Sequence, residues 1–273
     1  MITLTILGCG NMGRAFAAGL LSSEIVTAQS LTLVERREDR CISLKKEYNC
    51  GAFTNLVDAP KSEYLLLAIK PQDLQDAADS INAAISGETI VISILAGVSL
   101  QVLQKALNGH ARIIRAMPNL PAIIAAGMTA FVATSQIKEE ERAVITLFFS
   151  AVGEALELKD EQLLNGVTAI SGSGPAYLYY FLQAWRLAAQ DLGFSEKQAN
   201  RLICQTVKGA TELWEESDYN SDSLRQRVTS KGGTTEAAQR VLEESQVAAV
   251  FRRAINRAAA RAEELELLVK ETL

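Results

Sequence analysis

The sequence is poor in the residues that most often carry chemistry. It has one histidine, His110, and four cysteines, Cys9, Cys41, Cys50 and Cys204, in 273 residues. No two cysteines form a CxxC pair and none has metal-like spacing to His110, so no structural zinc site is expected. Isolated cysteines of this kind fit reduced thiols in a cytoplasmic protein. His110 falls in the turn-like stretch Asn108-Gly109-His110 and is expected at the surface. No stretch reaches the ~18–20 consecutive apolar residues of a membrane span. The apolar start Ile2–Leu7 runs straight into glycines and lacks the basic lead and length of a signal peptide. A net charge of −5 lacks the basic excess of a nucleic-acid binder.

Proline and glycine are scarce in the second half. All five prolines lie at or before Pro175, and beyond it the only glycines are Gly193, Gly209 and the pair Gly232-Gly233. That half is almost unbroken helical pattern, with start signals at Pro175 and Ser195 and a long amphipathic run from Gln246. The first half alternates short apolar strands with helices. Strands are expected at 2–7, 31–35, 64–69, 89–95 and 112–116, with helices at 12–22, 37–48, 73–85 and 99–107. A strand at 127–133, a helix at 138–152 and a short strand near 155–158 complete it. This order predicts an α/β fold: a mainly parallel sheet covered by helices. The boundary is placed at Lys159, giving a Rossmann-type domain over 1–159 and an all-α domain over 160–273. Long helices with apolar faces and no sheet of their own suggest a homodimer.

The strand Ile2–Leu7 leads into Gly8-Cys9-Gly10-Asn11-Met12-Gly13, a GxGxxG turn that opens a helix. Here Gly8 permits the tight turn, Gly10 lets backbone approach a pyrophosphate, and Gly13 allows close packing of helix on strand. The phosphates would sit at the helix N-terminus, where free N–H groups favour anions. The second strand ends in Glu35, about twenty residues further on, where a carboxylate can take the ribose hydroxyls of NAD. Arg36 and Arg37 follow and could instead pair with the 2′-phosphate of NADP, so the sequence leaves the cofactor's 2′ position open. Ala68-Ile69-Lys70-Pro71 closes the strand at 64–69, on the sheet edge where ligands bind, and Lys70 is either a ligand contact or a surface lysine.

Two elements of the helical half stand out. Ser171-Gly172-Ser173-Gly174-Pro175-Ala176-Tyr177 is a close-packed helix start. Val228-Thr229-Ser230-Lys231-Gly232-Gly233-Thr234-Thr235-Glu236-Ala237 sets hydroxyls and glycines before a helix, which is either an anion-binding nest for a small carboxylate or an N-cap.

Together with Arg115-Ala116-Met117-Pro118-Asn119, these motifs resemble the pyrroline-5-carboxylate reductase family in order and separation, across nearly the whole chain. The chain departs from the family at Lys231, where proline is usual, and at Arg227, where asparagine is common. The resemblance implies a Rossmann domain, an all-helical dimerisation domain and NAD(P)H-dependent reduction of a cyclic imine carboxylate to L-proline. It implies cofactor contacts from Leu7 to Gly13, Glu35, Arg36, Asn55, Ala68 to Pro71, and Ile94-Leu95-Ala96. Substrate contacts would come from Ser230, Gly233, Thr234, Thr235 and Asn119, with Thr235 as hydrogen-bond donor to the imine nitrogen.

Two other readings compete. A β-hydroxyacid dehydrogenase would need a lysine in the helix at 177–192, which has none. A non-catalytic dinucleotide sensor would not need the segment at 230–235.

Overall fold

A computed structural model describes residues 2–272. The chain divides into two compact units. The first runs to Pro175 and takes in the chain again from Arg257, and the second is Ala176–Asn256.

The first unit is built on an eight-stranded sheet in the order β3-β2-β1-β4-β5-β6-β7-β8. Its strands are β1 (Leu4–Leu7), β2 (Leu31–Val34), β3 (Gly51–Phe53), β4 (Tyr64–Leu67), β5 (Ile90–Ser93), β6 (Ile113–Met117), β7 (Gly127–Ala133) and β8 (Gly153–Glu157). All neighbours pair in parallel except β6 with β7. Strands β1, β2, β4 and β5 are buried at every position. That follows from helices on both faces, which leave no solvent side on which polar residues could alternate.

The two faces of the sheet feed two apolar clusters by the two-residue period of the strands. Leu4, Ile6, Leu33, Leu66, Ile92 and Ile114 point to one side, against Phe16, Ala17 and Leu20 of α1 (Asn11–Ser22) and Phe148 and Phe149 of α5 (Glu139–Ser150). Leu65, Leu67, Val91 and Ile113 point to the other, against α3 (Leu74–Ala84) and α4 (Leu100–Ala106). Helix α2 (Glu38–Tyr48) buries Cys41 and Leu44. The last turns of the C-terminal helix reach the second cluster through Val269.

Three features depart from the expected pattern. Gly51–Phe53 forms a strand that was not anticipated, because three residues are too few to show a period. His110 is half-buried, not superficial, and its Nε2 lies 2.8 Å from the carbonyl oxygen of Thr89. The expected break at Lys159 is not where the compact units part: α6 (Leu163–Val167), the π-type turn Thr168–Gly172 and the chain beyond Arg257 pack with the sheet.

The second unit holds α7 from Ala176 onward, within Gly174–Asp191, then α8 (Glu196–Glu216), α9 (Ser221–Arg227), α10 (Thr234–Glu244) and the first part of α11 (Val247–Thr272). Ser195 caps α8 in a reciprocal box with Gln198. Tyr177 and Phe181 pack edge-on against Phe251, 5.8 and 5.6 Å between ring centres. Much apolar surface remains bare, including Tyr180 (71 % exposed), Trp185, Leu202, Leu213 and Trp214. Among the described residues, no helix is long and apolar enough to cross a membrane.

Candidate functional site

The strand order reverses between β1 and β4, and a cavity of about 470 Å³ opens there at the carboxyl ends of β1, β2 and β4. In a parallel sheet this crevice is the natural ligand site, because the connections diverge from it on either side. Its wall includes Leu7, Gly8, Cys9, Gly10, Glu35, Arg36, Asn55, Ala68, Ile69 and Lys70.

The glycine turn is made by close approach. Gly8 has φ +100°, and a β-carbon there would lie 2.7 Å from the backbone carbon and oxygen of Ala68. A β-carbon on Gly13 would collide with the carbonyl oxygen of Gly8. Gly10 differs: among the described residues, and apart from its own stretch of chain, no atom lies within 4 Å of the place its β-carbon would occupy. Gly10 is also the N-cap of α1, which has no side-chain cap and no acidic residue in its first turn. The residues therefore fit a diphosphate, with uncapped N–H groups and the positive helix end facing a space that only a glycine leaves open.

The charges around the end of β2 are paired. The backbone of Glu35 is held on two sides, by its own N–H to Phe53 O (3.0 Å) and by the Cys41 thiol, which donates to Glu35 O at 2.9 Å. Its side chain is 14 % exposed, and Arg40 lies 3.9 Å from its carboxylate. Arg40 also donates to the carbonyl oxygen of Cys9 at 2.9 Å, tying α2 to the glycine turn. Arg36 points outward, 77 % exposed, onto Asp73 at 3.1 Å. Arg37 is clamped to Asp39 and holds that carboxyl below its usual range. Burial pushes the Cys9 thiol up to about 12, and the adjacent Glu35 carboxylate adds to the shift. Sequence reasoning missed Arg40, Asp73 and Asp76, all in the cavity wall. Arg40 could have been anticipated as a cation in the first turn of the helix that follows the acidic strand end.

Some of the other expected cofactor residues adjoin the cavity wall in the chain. Asn11, Met12 and Gly13 form the first turn of α1, and Pro71 opens a 3₁₀ turn after Lys70. Asn55 lines the wall, and its side-chain oxygen accepts from Val57 N at 3.4 Å. Ile94-Leu95-Ala96 follows β5, with the Leu95 side chain committed to the core and Ala96 exposed. Asn119 spends its amide within the fold: it donates to Ser171 O (3.3 Å) and Ser171 Oγ (3.2 Å) and accepts from Met128 N at 2.9 Å.

In the second unit, Ser230–Thr235 forms a turn into α10 with Gly232 at φ +73° and Gly233 as N-cap. Gly233 N–H donates to Ser230 O at 3.0 Å, and Gly232 N–H donates to the Glu236 carboxylate at 2.7 Å. Thr229 is held between Arg225 O and the Gln239 amide. Arg227 stacks over the Tyr219 ring at 4.4 Å.

Comparison with known proteins agrees across the chain. Residues 161–265 match the model of the pyrroline-5-carboxylate reductase dimerisation region, and 3–97 match that of NADP oxidoreductase, coenzyme F420-dependent. A pyrroline-5-carboxylate reductase of Synechocystis sp. is 38 % identical over 97 % of this chain and 98 % of its own length. The solved Coxiella burnetii pyrroline-5-carboxylate reductase superposes with a TM-score of 0.89 at 31 % identity, over 97 % of this chain and 98 % of that one. A Plasmodium falciparum pyrroline carboxylate reductase, solved with NADP bound, shares the fold at 24 % identity and a TM-score of 0.87, over 97 % and 98 % of the two chains. With identity above 30 % running through both units, the chain belongs to the pyrroline-5-carboxylate reductase family.

Proposed function

We propose that the protein reduces the C=N bond of 1-pyrroline-5-carboxylate with NAD(P)H, giving L-proline in the last step of proline biosynthesis. The observation that carries this reading is the full-length identity to reductases of that name, in a chain whose glycine turn lies at the switch point of a parallel sheet. When bound, the reduced nicotinamide supplies the hydride that the imine carbon accepts.

The chain's own residues bind and orient. Leu7–Gly13 and the start of α1 take the diphosphate, and Ala68–Pro71, Asn55, Glu35 and Arg36 line the rest of the dinucleotide site, with Ile94–Ala96 beside it. Ser230, Gly233 and Thr234 hold the substrate carboxylate in the turn before α10. Thr235 donates a hydrogen bond to the ring nitrogen; among the described residues no partner engages either threonine hydroxyl within the fold. A hydroxyl is a poor acid, so the proton that completes the amine comes from water or from an imine already protonated. Catalysis then rests on alignment and electrostatic support. Asn119 is the remaining substrate contact, held on the loop after β6 by Ser171 and Met128.

The bare apolar helices of the second unit and the match to a dimerisation region support a homodimer. The four free thiols, three of them buried, suit a cytoplasmic setting. Initial rates with 1-pyrroline-5-carboxylate and each reduced cofactor test the reading. Imine-dependent cofactor oxidation is expected, and its absence with both cofactors would overturn it.

A further inference from the structure

The choice between the two nicotinamide cofactors turns on one group, the 2′ substituent of the adenosine ribose. It is a pair of neighbouring hydroxyls in NADH and a phosphate carrying about two negative charges in NADPH. In a fold of this kind that ribose sits at the carboxyl end of β2. In this chain that place is occupied by Glu35.

The sequence alone sets Glu35 against Arg36 and Arg37, and the structure separates them. The Glu35 backbone is pinned to β3 through Phe53 and to α2 through Cys41, and its side chain is largely enclosed. The backbone thus fixes where the side chain starts, and its carboxylate faces Arg40 at 3.9 Å and the Arg37 N–H at 3.5 Å. The arginines are committed elsewhere. Arg37 is bound to Asp39 by two hydrogen bonds, Arg36 is turned onto Asp73, and Arg40 is shared between Cys9 O and Glu35 itself. A phosphate here would face the Glu35 carboxylate and would have to take Arg36 from Asp73, leaving a second uncompensated carboxylate in the same wall. Two ribose hydroxyls would donate to Glu35 with nothing displaced. A fixed acceptor rewards a donor and penalises an anion, so both terms favour the same cofactor.

We infer that Glu35, fixed at the end of β2 among arginines already paired with carboxylates, makes this enzyme select NADH over NADPH. The inference rests on the dinucleotide reading of the cavity. The preference is expected to be at least about tenfold in kcat/KM, or ~1.4 kcal/mol.

Binding and turnover together test it. Dissociation constants for NADH and NADPH are measured by fluorescence titration without imine, and initial rates with imine, on the wild type, Glu35→Ser and Asp73→Asn. The wild type should bind and use NADH about tenfold better. Glu35→Ser should weaken NADH, strengthen NADPH and bring the ratio to unity or below. Asp73→Asn frees Arg36 for a phosphate and should shift the ratio the same way, even if Glu35→Ser fails to fold. Equal or tighter NADPH binding by the wild type overturns the inference while leaving the reductase assignment intact, as does an unchanged ratio in both variants. Failure to bind either dinucleotide overturns the reading of the cavity and this inference with it.

Discussion

Arg115 and Glu161 meet at 2.6 Å, joining a strand in the middle of the sheet to the segment that leads out of it. Arg115 is 4 % exposed and also holds Glu266 of α11 at 3.1 Å, while the same Glu161 oxygen accepts the backbone N–H of Leu100 at 2.7 Å. The Arg115–Glu161 pair thus fastens β6, the start of α4, the segment before α6 and the last helix. Arg115→Met should leave two facing carboxylates without their cation and cost about 3 kcal/mol, the low end for a broken buried pair, because water reaches both acids. Urea denaturation measures it. A loss under about 1 kcal/mol would mean that the cluster contributes little.

Gly10 and Gly13 should respond differently. Gly10→Val places its side chain where there is no protein, so the melting temperature should hold while dinucleotide affinity falls by more than about tenfold. Gly13→Val drives a side chain into the Gly8 carbonyl and should lower both. Thermal melts paired with fluorescence titration separate the two. Unchanged affinity in Gly10→Val would remove the diphosphate from the glycine turn.

Thr235→Ala should lower turnover by about one to two orders of magnitude, the scale of a lost polar transition-state contact. Among the described residues its hydroxyl has no partner, so stability should change by less than about 0.5 kcal/mol. Initial rates beside a denaturation curve check both. Wild-type kinetics would remove Thr235 from the site.

Stability should fall in alkali. Burial raises the Cys9 thiol to about 12 and the Cys50 thiol to about 11. Above about pH 9 the unfolded chain ionises both thiols while the folded protein keeps them protonated. The folded state then binds more protons, and stability declines as pH rises toward these values. The slope is about 1.4 kcal/mol per pH unit for each thiol. Urea midpoints between pH 8 and 11, as an order-of-magnitude window for such thiols, should drop in the wild type and less so in Cys9→Ala. Cys204 is exposed and should react first with a thiol reagent at neutral pH.

What was legible in the sequence was local. Each strand from β1 to β6, apart from β3, announced itself as an apolar run between helical periods, and the spacing of Gly8, Gly10 and Gly13 after a strand marked the turn. What was not legible depends on partners distant in the chain. The antiparallel pairing of β7 with β6 leaves no trace in the composition of Gly127–Ala133. The Asn119 amide meets Ser171, more than fifty residues away, a partner that adjacency in the sequence cannot show. Arg36 and Glu35 could not be ranked from adjacency, because their difference lies in where Asp73 and Phe53 stand.

The bare aromatic and leucine side chains of the second unit have a consequence for handling the protein. Among the described residues, that unit buries little beyond Ala189, Ala199 and Ile203. If a second copy covers the remainder, part of the core is supplied by mass action, and dilution becomes a denaturant. The melting temperature would then rise with protein concentration. Activity assayed at nanomolar enzyme would report the association equilibrium as much as the chemistry.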